Sequence, residues 1–124
     1  HAAALNYVGY SWADDKVHLD KALDYIQRAI GLKPDNGYIR DSLGWVYFRL
    51  GRIDEAIREL EAAVRLSPDD PAILEHLGDV YLEAGRERQA LETYRKALRL
   101  KPENEAERQR IEEKVRIIEK QGGQ

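Results

Sequence analysis

Apolar residues recur along this chain at helical spacing in successive stretches, separated by short breaks that hold polar residues, glycine or proline. The densest stretch is Gly37 to Leu50, GYIRDSLGWVYFRL. In it Ile39, Leu43, Val46, Tyr47 and Leu50 fall at i, i+4, i+7, i+8 and i+11, the stripe of a helix face buried in a core. A second set, Tyr38, Asp41, Trp45, Phe48 and Arg49, falls at i, i+3, i+7, i+10 and i+11 on another face. Its three aromatics exceed what one buried stripe requires, and this surplus is the functional lead. Reading the whole chain for this periodicity predicts helices over 3–14, 19–32, 37–50, 53–66, 71–84, 87–100 and 105–120, an all-α fold of three hairpins plus one helix.

The breaks have their own chemistry. Gly51 and Gly85 follow periodic segments and suit the left-handed residue of a helix C-cap. Asp70 before Pro71 reads as N-cap and N1, and Asn36 and Asn104 hold the equivalent place before their helices. Shifting the sequence by 34 residues superposes Leu43-Gly44-x-x-Tyr47 on Leu77-Gly78-x-x-Tyr81, Gly51 on Gly85, Ala56 on Ala90, Leu60 on Tyr94, Ala63 on Ala97 and Pro68 on Pro102. An upstream copy holds Val8-Gly9-x-x-Trp12, Ala22, Ile26, Ala29 and Pro34, with one residue inserted between Gly9 and Ala22. Glycine inside a helix costs about 1 kcal/mol relative to alanine. The recurrence of Gly9, Gly44 and Gly78 therefore implies contacts too close for a Cβ, and Ala22, Ala56 and Ala90 are the small residues expected to face them.

A period of 34 residues with helix, turn, helix and proline resembles the tetratricopeptide repeat (TPR) family, whose pattern is W-x-x-L-G-x-x-Y, then A-x-x-x-F, then P. The family's tryptophan is replaced by Leu5, Arg40 and Leu74. The resemblance implies a right-handed superhelical α-solenoid of three TPR hairpins and a C-terminal capping helix, forming a single domain. Its repeats would run over about 2–36, 37–70 and 71–104, the cap over 105–120, and a disordered tail over 121–124. The last helix carries Ile111, Val115 and Ile118 at i, i+4 and i+7 with charge pairs outside, as a solubilising cap requires. AAALNYVGYSWA shows little charge on any face, as if further repeats or a second chain covered it. The runs ALNYVGYSWAD and YIRDSLGWVYFRLG also look like bacterial multi-repeat TPR proteins, which implies an adaptor role.

Composition narrows the function classes. Among 124 residues, 20 are basic and 23 acidic, interspersed to a net charge of -3, so no basic stripe faces phosphates and nucleic acid is excluded as a partner. No apolar run approaches the roughly 20 residues of a membrane span, and HAAALNY lacks the regions of a signal peptide. A soluble segment is expected, cytoplasmic or bacterial periplasmic. There is no cysteine and no methionine, even at the start, which reads as a piece of something longer. His1, His18 and His76 share no ligand spacing, and Ser11, Ser42 and Ser67 lack a nucleophile setting. The GGQ letters of Gln121-Gly122-Gly123-Gln124 read as a helix stop. No catalytic residue, metal or cofactor is assigned, and the expectation is a protein that is not an enzyme.

What remains is the groove that the TPR resemblance implies, lined by the first helix of each pair. It maps onto Asn6, Tyr10, Ala13 and Asp14, then Tyr38, Asp41, Trp45, Phe48 and Arg49, then Ala72, Glu75, Asp79, Leu82 and Glu83, with Gln109, Glu113 and Arg116 on the cap. The family's carboxylate-clamp subset uses lysine, arginine and asparagine where Asp41, Glu75, Asp79 and Glu113 stand here, so acidic chaperone tails are disfavoured. Aromatic anchors among acids suit a peptide or partner segment with apolar and basic side chains. Phe48 fits core or groove equally. Asp79 at the place matching Trp45 favours an exposed tryptophan, because a buried position rarely accepts a lone carboxylate. Two other readings stand beside this scaffold: a purely structural stretch of a longer array, and a homo-oligomer formed through the uncovered N-terminal hairpin.

Overall fold

The structure is a computed structural model that describes His1 to Gly122. It has seven α-helices and, among the described residues, no strand: α1 (Ala2–Asp14), α2 (Leu19–Leu32), α3 (Gly37–Arg49), α4 (Ile53–Leu66), α5 (Pro71–Glu83), α6 (Glu87–Arg99) and α7 (Glu105–Gly122). The tail expected from 121 onward begins inside α7, because Gln121 and Gly122 continue its last turn; Gly123 and Gln124 lie outside the described residues. The repeat pattern leads to the expectation of a single domain. Within the chain two compact units are distinguished, His1–Pro68 with α1 to α4 and Asp69 onward with α5 to α7. Such a division follows from stacked hairpins, in which each element packs chiefly on its sequence neighbours.

Local chemistry sets the helix ends. Asn36 Oδ1 accepts from Ile39 N at 3.0 Å, Asp70 Oδ1 from Ala72 N at 2.9 Å and Ile73 N at 3.2 Å, and Asn104 Oδ1 from Glu107 N at 2.8 Å. Each satisfies amides that a helix start leaves open. At the other end, Gly51 and Gly85 adopt φ of +81° and +79°. The following amides, of Arg52 and Arg86, donate back to Tyr47 O and Tyr81 O at 2.8 and 2.9 Å, closing α3 and α5 with Schellman-type caps. In the first hairpin Lys16 takes that left-handed place at φ +57°, and the inserted residue leaves His18 left-handed as well, at φ +49°.

In the first unit Ala13, Ala22, Ile26, Ala29, Val46, Ala56, Leu60 and Ala63 are wholly buried; in the second Val80, Ala90, Tyr94, Ala97 and Ile111 are. The helical glycines meet large side chains more closely than they meet the expected alanines. A Cβ on Gly9 would lie 2.6 Å from Ile26 Cγ1, one on Gly44 2.6 Å from Leu60 Cγ, and one on Gly78 2.5 Å from Tyr94 Cε1. The large residue four positions after each alanine therefore fills the glycine's hollow. Ala22 and Ala56 contribute their backbone, each placing a carbonyl oxygen 3.2 Å from that imagined Cβ. Knob-into-glycine packing, rather than small on small, sets the hairpin spacing.

Candidate functional site

In the first unit α3 packs against α1, α2 and α4, so most of its surface is interior. Both stripes of the helix are affected. Ile39, Leu43, Val46 and Tyr47 are buried as the repeat requires, but so are Asp41 and Trp45, each 7% exposed. The expectation of an exposed tryptophan is corrected: the Trp45 ring lies 4.9 Å from Phe48, centroid to centroid, and the Arg49 guanidinium sits 5.2 Å over its face. Arg49 itself is anchored. Its Nε donates to Ala13 O at 3.1 Å and its Nη2 to Asp14 O at 3.0 Å, so it caps the last carbonyls of α1 and closes a lid over Trp45. Phe48 and Tyr10 are half-buried. Of the five residues in the second stripe Tyr38, at the start of α3, is the most exposed, at 60%.

The departure from tryptophan at position 40 also has a structural use. Arg40 Nη1 pairs with Glu59 Oε1 at 3.0 Å and its Nη2 donates to Pro34 O at 2.9 Å, tying the α2–α3 connection to α4.

A hollow in this unit lies at the other end of α3. Ala2, Ala3 and Asn6 of α1, Lys33 and Asn36 of the α2–α3 connection, and Tyr38 and Ile39 of α3 enclose a space of about 270 Å³. Next to it Leu32, Lys33, Pro34, Asp35 and Asn36 line a second depression of about 350 Å³. The Asn6 side chain is half-buried, and its Oδ1 is fully buried with no hydrogen-bond partner. A buried acceptor left unsatisfied costs about 1–3 kcal/mol, so this oxygen is a local weak point of the first hairpin. Two expected groove residues, Asn6 and Tyr38, thus share one hollow; Tyr10, Asp41, Trp45, Phe48 and Arg49 do not line it.

In the second unit the carboxylates expected to face a basic ligand are engaged by α7. Glu75, 5% exposed, accepts from Arg110 through both oxygens, at 2.7 and 2.8 Å, and from Lys114 Nζ at 2.6 Å. Lys114 Nζ also meets Asp79 Oδ1 and Oδ2 at 2.9 and 3.2 Å, and the Tyr94 hydroxyl donates to Asp79 Oδ1. Burial pushes the Glu75 carboxyl up, but the hydrogen bonds from Arg110 and Lys114 outweigh it and hold the group below its ordinary value. Burial and the neighbouring Asp79 charge push the Tyr94 phenol far above its own, so Tyr94 stays a donor. Asp79 is therefore not a lone carboxylate, which removes the comparison that favoured an exposed Trp45.

The cap residues expected in the groove point elsewhere. Gln109 donates to Glu105 at 3.5 Å, and Glu113 pairs with Arg116, both on the exposed surface of α7. Arg110 and Lys114, missed by sequence reasoning, carried a signal there: two cations four residues apart that match Glu75 and Asp79, two anions four residues apart. Leu82 is 37% exposed, and Ala72 and Glu83 are exposed. Among the described residues no three His, Asp or Glu side chains are grouped as a metal ion would need, and no helix is long and apolar enough to cross a membrane.

Comparison with known proteins agrees with this architecture. The tetratricopeptide repeat family profile matches residues 42–105, more than half of the chain. A TPR repeat-containing protein of Pseudomonas aeruginosa is 40% identical over 53 residues, 43% of this chain, and the matched part is 9% of that much longer protein. Among solved structures, the Yersinia enterocolitica type III secretion chaperone SycD in complex with a peptide of the translocator YopD matches with a TM-score of 0.84 at 18% identity, covering 97% of this chain and 93% of SycD. The first TPR of Spaghetti (RPAP3) bound to the HSP90 peptide SRMEEVD matches with a TM-score of 0.84 at 21% identity, covering 99% of this chain and 94% of that one.

Proposed function

The chain belongs to the tetratricopeptide repeat family, and from that premise we propose that this all-α helical-repeat solenoid is a protein-interaction scaffold that holds a peptide or partner segment in the hollow between the starts of α1 and α3. The observation that carries this reading is the hollow itself, about 270 Å³ in volume, where the exposed Tyr38 and the polar Asn6 stand beside Ala2, Ala3 and Ile39. Ala2, Ala3 and Ile39 give apolar lining for a side chain, Tyr38 a flat aromatic face, and Asn6 a polar neighbour. That the two similar structures hold peptides supports the role in general terms.

The ligand's expected basic character has lost its basis in the second unit, since Glu75 and Asp79 are neutralised by Arg110 and Lys114. The chemistry that fits the hollow is an extended segment with an apolar anchor. Selection of a random peptide library displayed on phage, followed by fluorescence polarisation of the enriched peptides, tests this. Asn6→Ala and Tyr38→Ala should each weaken binding by about tenfold, roughly 1.4 kcal/mol. Enriched peptides that bind both variants as well as the parent would refute the placement.

A second reading is favoured by α1, which carries no charged side chain from Ala2 to Ala13 and leaves Tyr7 74% exposed. On that reading α1 is where another copy, or another repeat of a longer array, adds. Sedimentation of the chain beside Tyr7→Glu separates the two, since a concentration-dependent mass abolished by the substitution supports association, and a monomer throughout removes the self-association reading.

A further inference from the structure

The tripeptide Leu-Lys-Pro occurs twice at equivalent places, and its lysine takes two conformations. In Leu32-Lys33-Pro34, which leads into α3, Lys33 has φ -138° and ψ 71°. In Leu100-Lys101-Pro102, which leads into α7, Lys101 has φ +62°. A left-handed lysine is disfavoured by its Cβ, and a following proline pushes a residue toward extended backbone, so Lys101 is strained twice over.

The packing of the two helices differs in parallel. α3 lies against both helices of the preceding hairpin, α1 and α2. α7 lies against α6, and no comparably close approach to α5 occurs among the described residues. The sequence explains the gap. Where α3 has buried Ser42 and Val46, the matching positions of α7 hold Arg110 and Lys114, whose length keeps the helix backbones apart. Those side chains bridge to Glu75 and Asp79. Ile111 and Ile118 are the buried residues of α7, while Ile117 remains 47% exposed.

We propose that α7 is a separable latch: it undocks as one unit about Lys101, with Arg110 and Lys114 as its catch, and uncovers the face of α5 and α6 while that hairpin stays folded. The catch is ionic and directional, the apolar hold is small, and the strain at Lys101 is released when α7 swings away. This goes beyond the binding hollow of the first unit and does not rest on it.

Amide hydrogen exchange on the full chain tests the latch. In the parent, amides in the middle of α7 should share one opening that is more frequent than the opening of α5 and α6. Arg110→Gln with Lys114→Gln should raise α7 exchange roughly tenfold and leave α5 and α6 unchanged. Lys101→Asn, which tolerates the left-handed region, should slow α7 exchange a few-fold. Equal protection of α5, α6 and α7 in the parent, or a rise in all three together in the double variant, would overturn the proposal. Should the double variant fail to fold, Lys114→Gln alone makes the same comparison.

Discussion

Replacing Gly44 by alanine is the most direct test of the packing that sets the hairpins. Considered as helix chemistry alone the change is favourable, by about 1 kcal/mol. The new Cβ, however, would sit 2.6 Å from Leu60 Cγ and 3.2 Å from the Ala56 carbonyl oxygen. Leu60 is wholly buried and the Ala56 carbonyl is helix backbone, so neither yields cheaply. Overpacking of this kind costs about 1–3 kcal/mol, and the net expectation is a loss of up to about 2 kcal/mol. Gly31 provides the control. It also lies in a helix, but a Cβ there meets nothing within 4 Å, so Gly31→Ala should stabilise by some fraction of 1 kcal/mol. In urea unfolding Gly44→Ala should therefore be the less stable of the two variants. Adding Leu60→Ala to Gly44→Ala should cost less than the sum of the two single changes, since the truncated side chain no longer meets the new methyl. Additive values, or a Gly44→Ala protein as stable as Gly31→Ala, would refute the reasoning.

Acid should loosen the second unit first through Glu75. Its folded-state value is held below the ordinary 4.5, so its stabilising contribution is complete above that value and is lost as pH falls through the lower folded one; Glu75→Gln should flatten that acid limb in a circular-dichroism titration. Arg49→Ala should cost about 1–3 kcal/mol in urea unfolding, since two carbonyls of α1 and the Trp45 face lose a charged partner, whereas Asp14→Ala, whose carboxylate lies 3.9 Å from Arg49 at an exposed site, should cost well under 1 kcal/mol. Asn36→Ala and Asp70→Ala should each lower the melting temperature, by about 1 kcal/mol of stability, while Arg52→Ala at the N-cap of α4, where no side-chain cap bond exists, should lose none on that account.

Helix number, helix ends and the buried repeat face were legible in the chain because each depends on local rules. Apolar periodicity placed the seven helices, Asn36, Asp70 and Asn104 marked their starts, and Gly51 and Gly85 their stops. The 34-residue period named the family before any coordinates. The site was less legible. The surplus aromatics of α3 are real, but Trp45 is buried and the Arg49 over its ring is anchored on α1, a contact 36 residues away in sequence that no periodicity reveals. Asp79 misled in the same way, because its partners Lys114 and Tyr94 lie 35 and 15 residues further on.

The sequence by itself determined that this is an array of helical hairpins, since a repeated pattern of apolar, glycine and cap residues permits no other economical burial of its stripes. Only the tertiary structure decided which polar groups remain available. A charge or an aromatic ring is read by its type in a sequence, but its availability is set by what packs over it. In this protein Arg49, itself anchored on α1, lies over Trp45, and Arg110 and Lys114 of α7 cover Glu75 and Asp79, while Asn6 and Tyr38 line an open hollow.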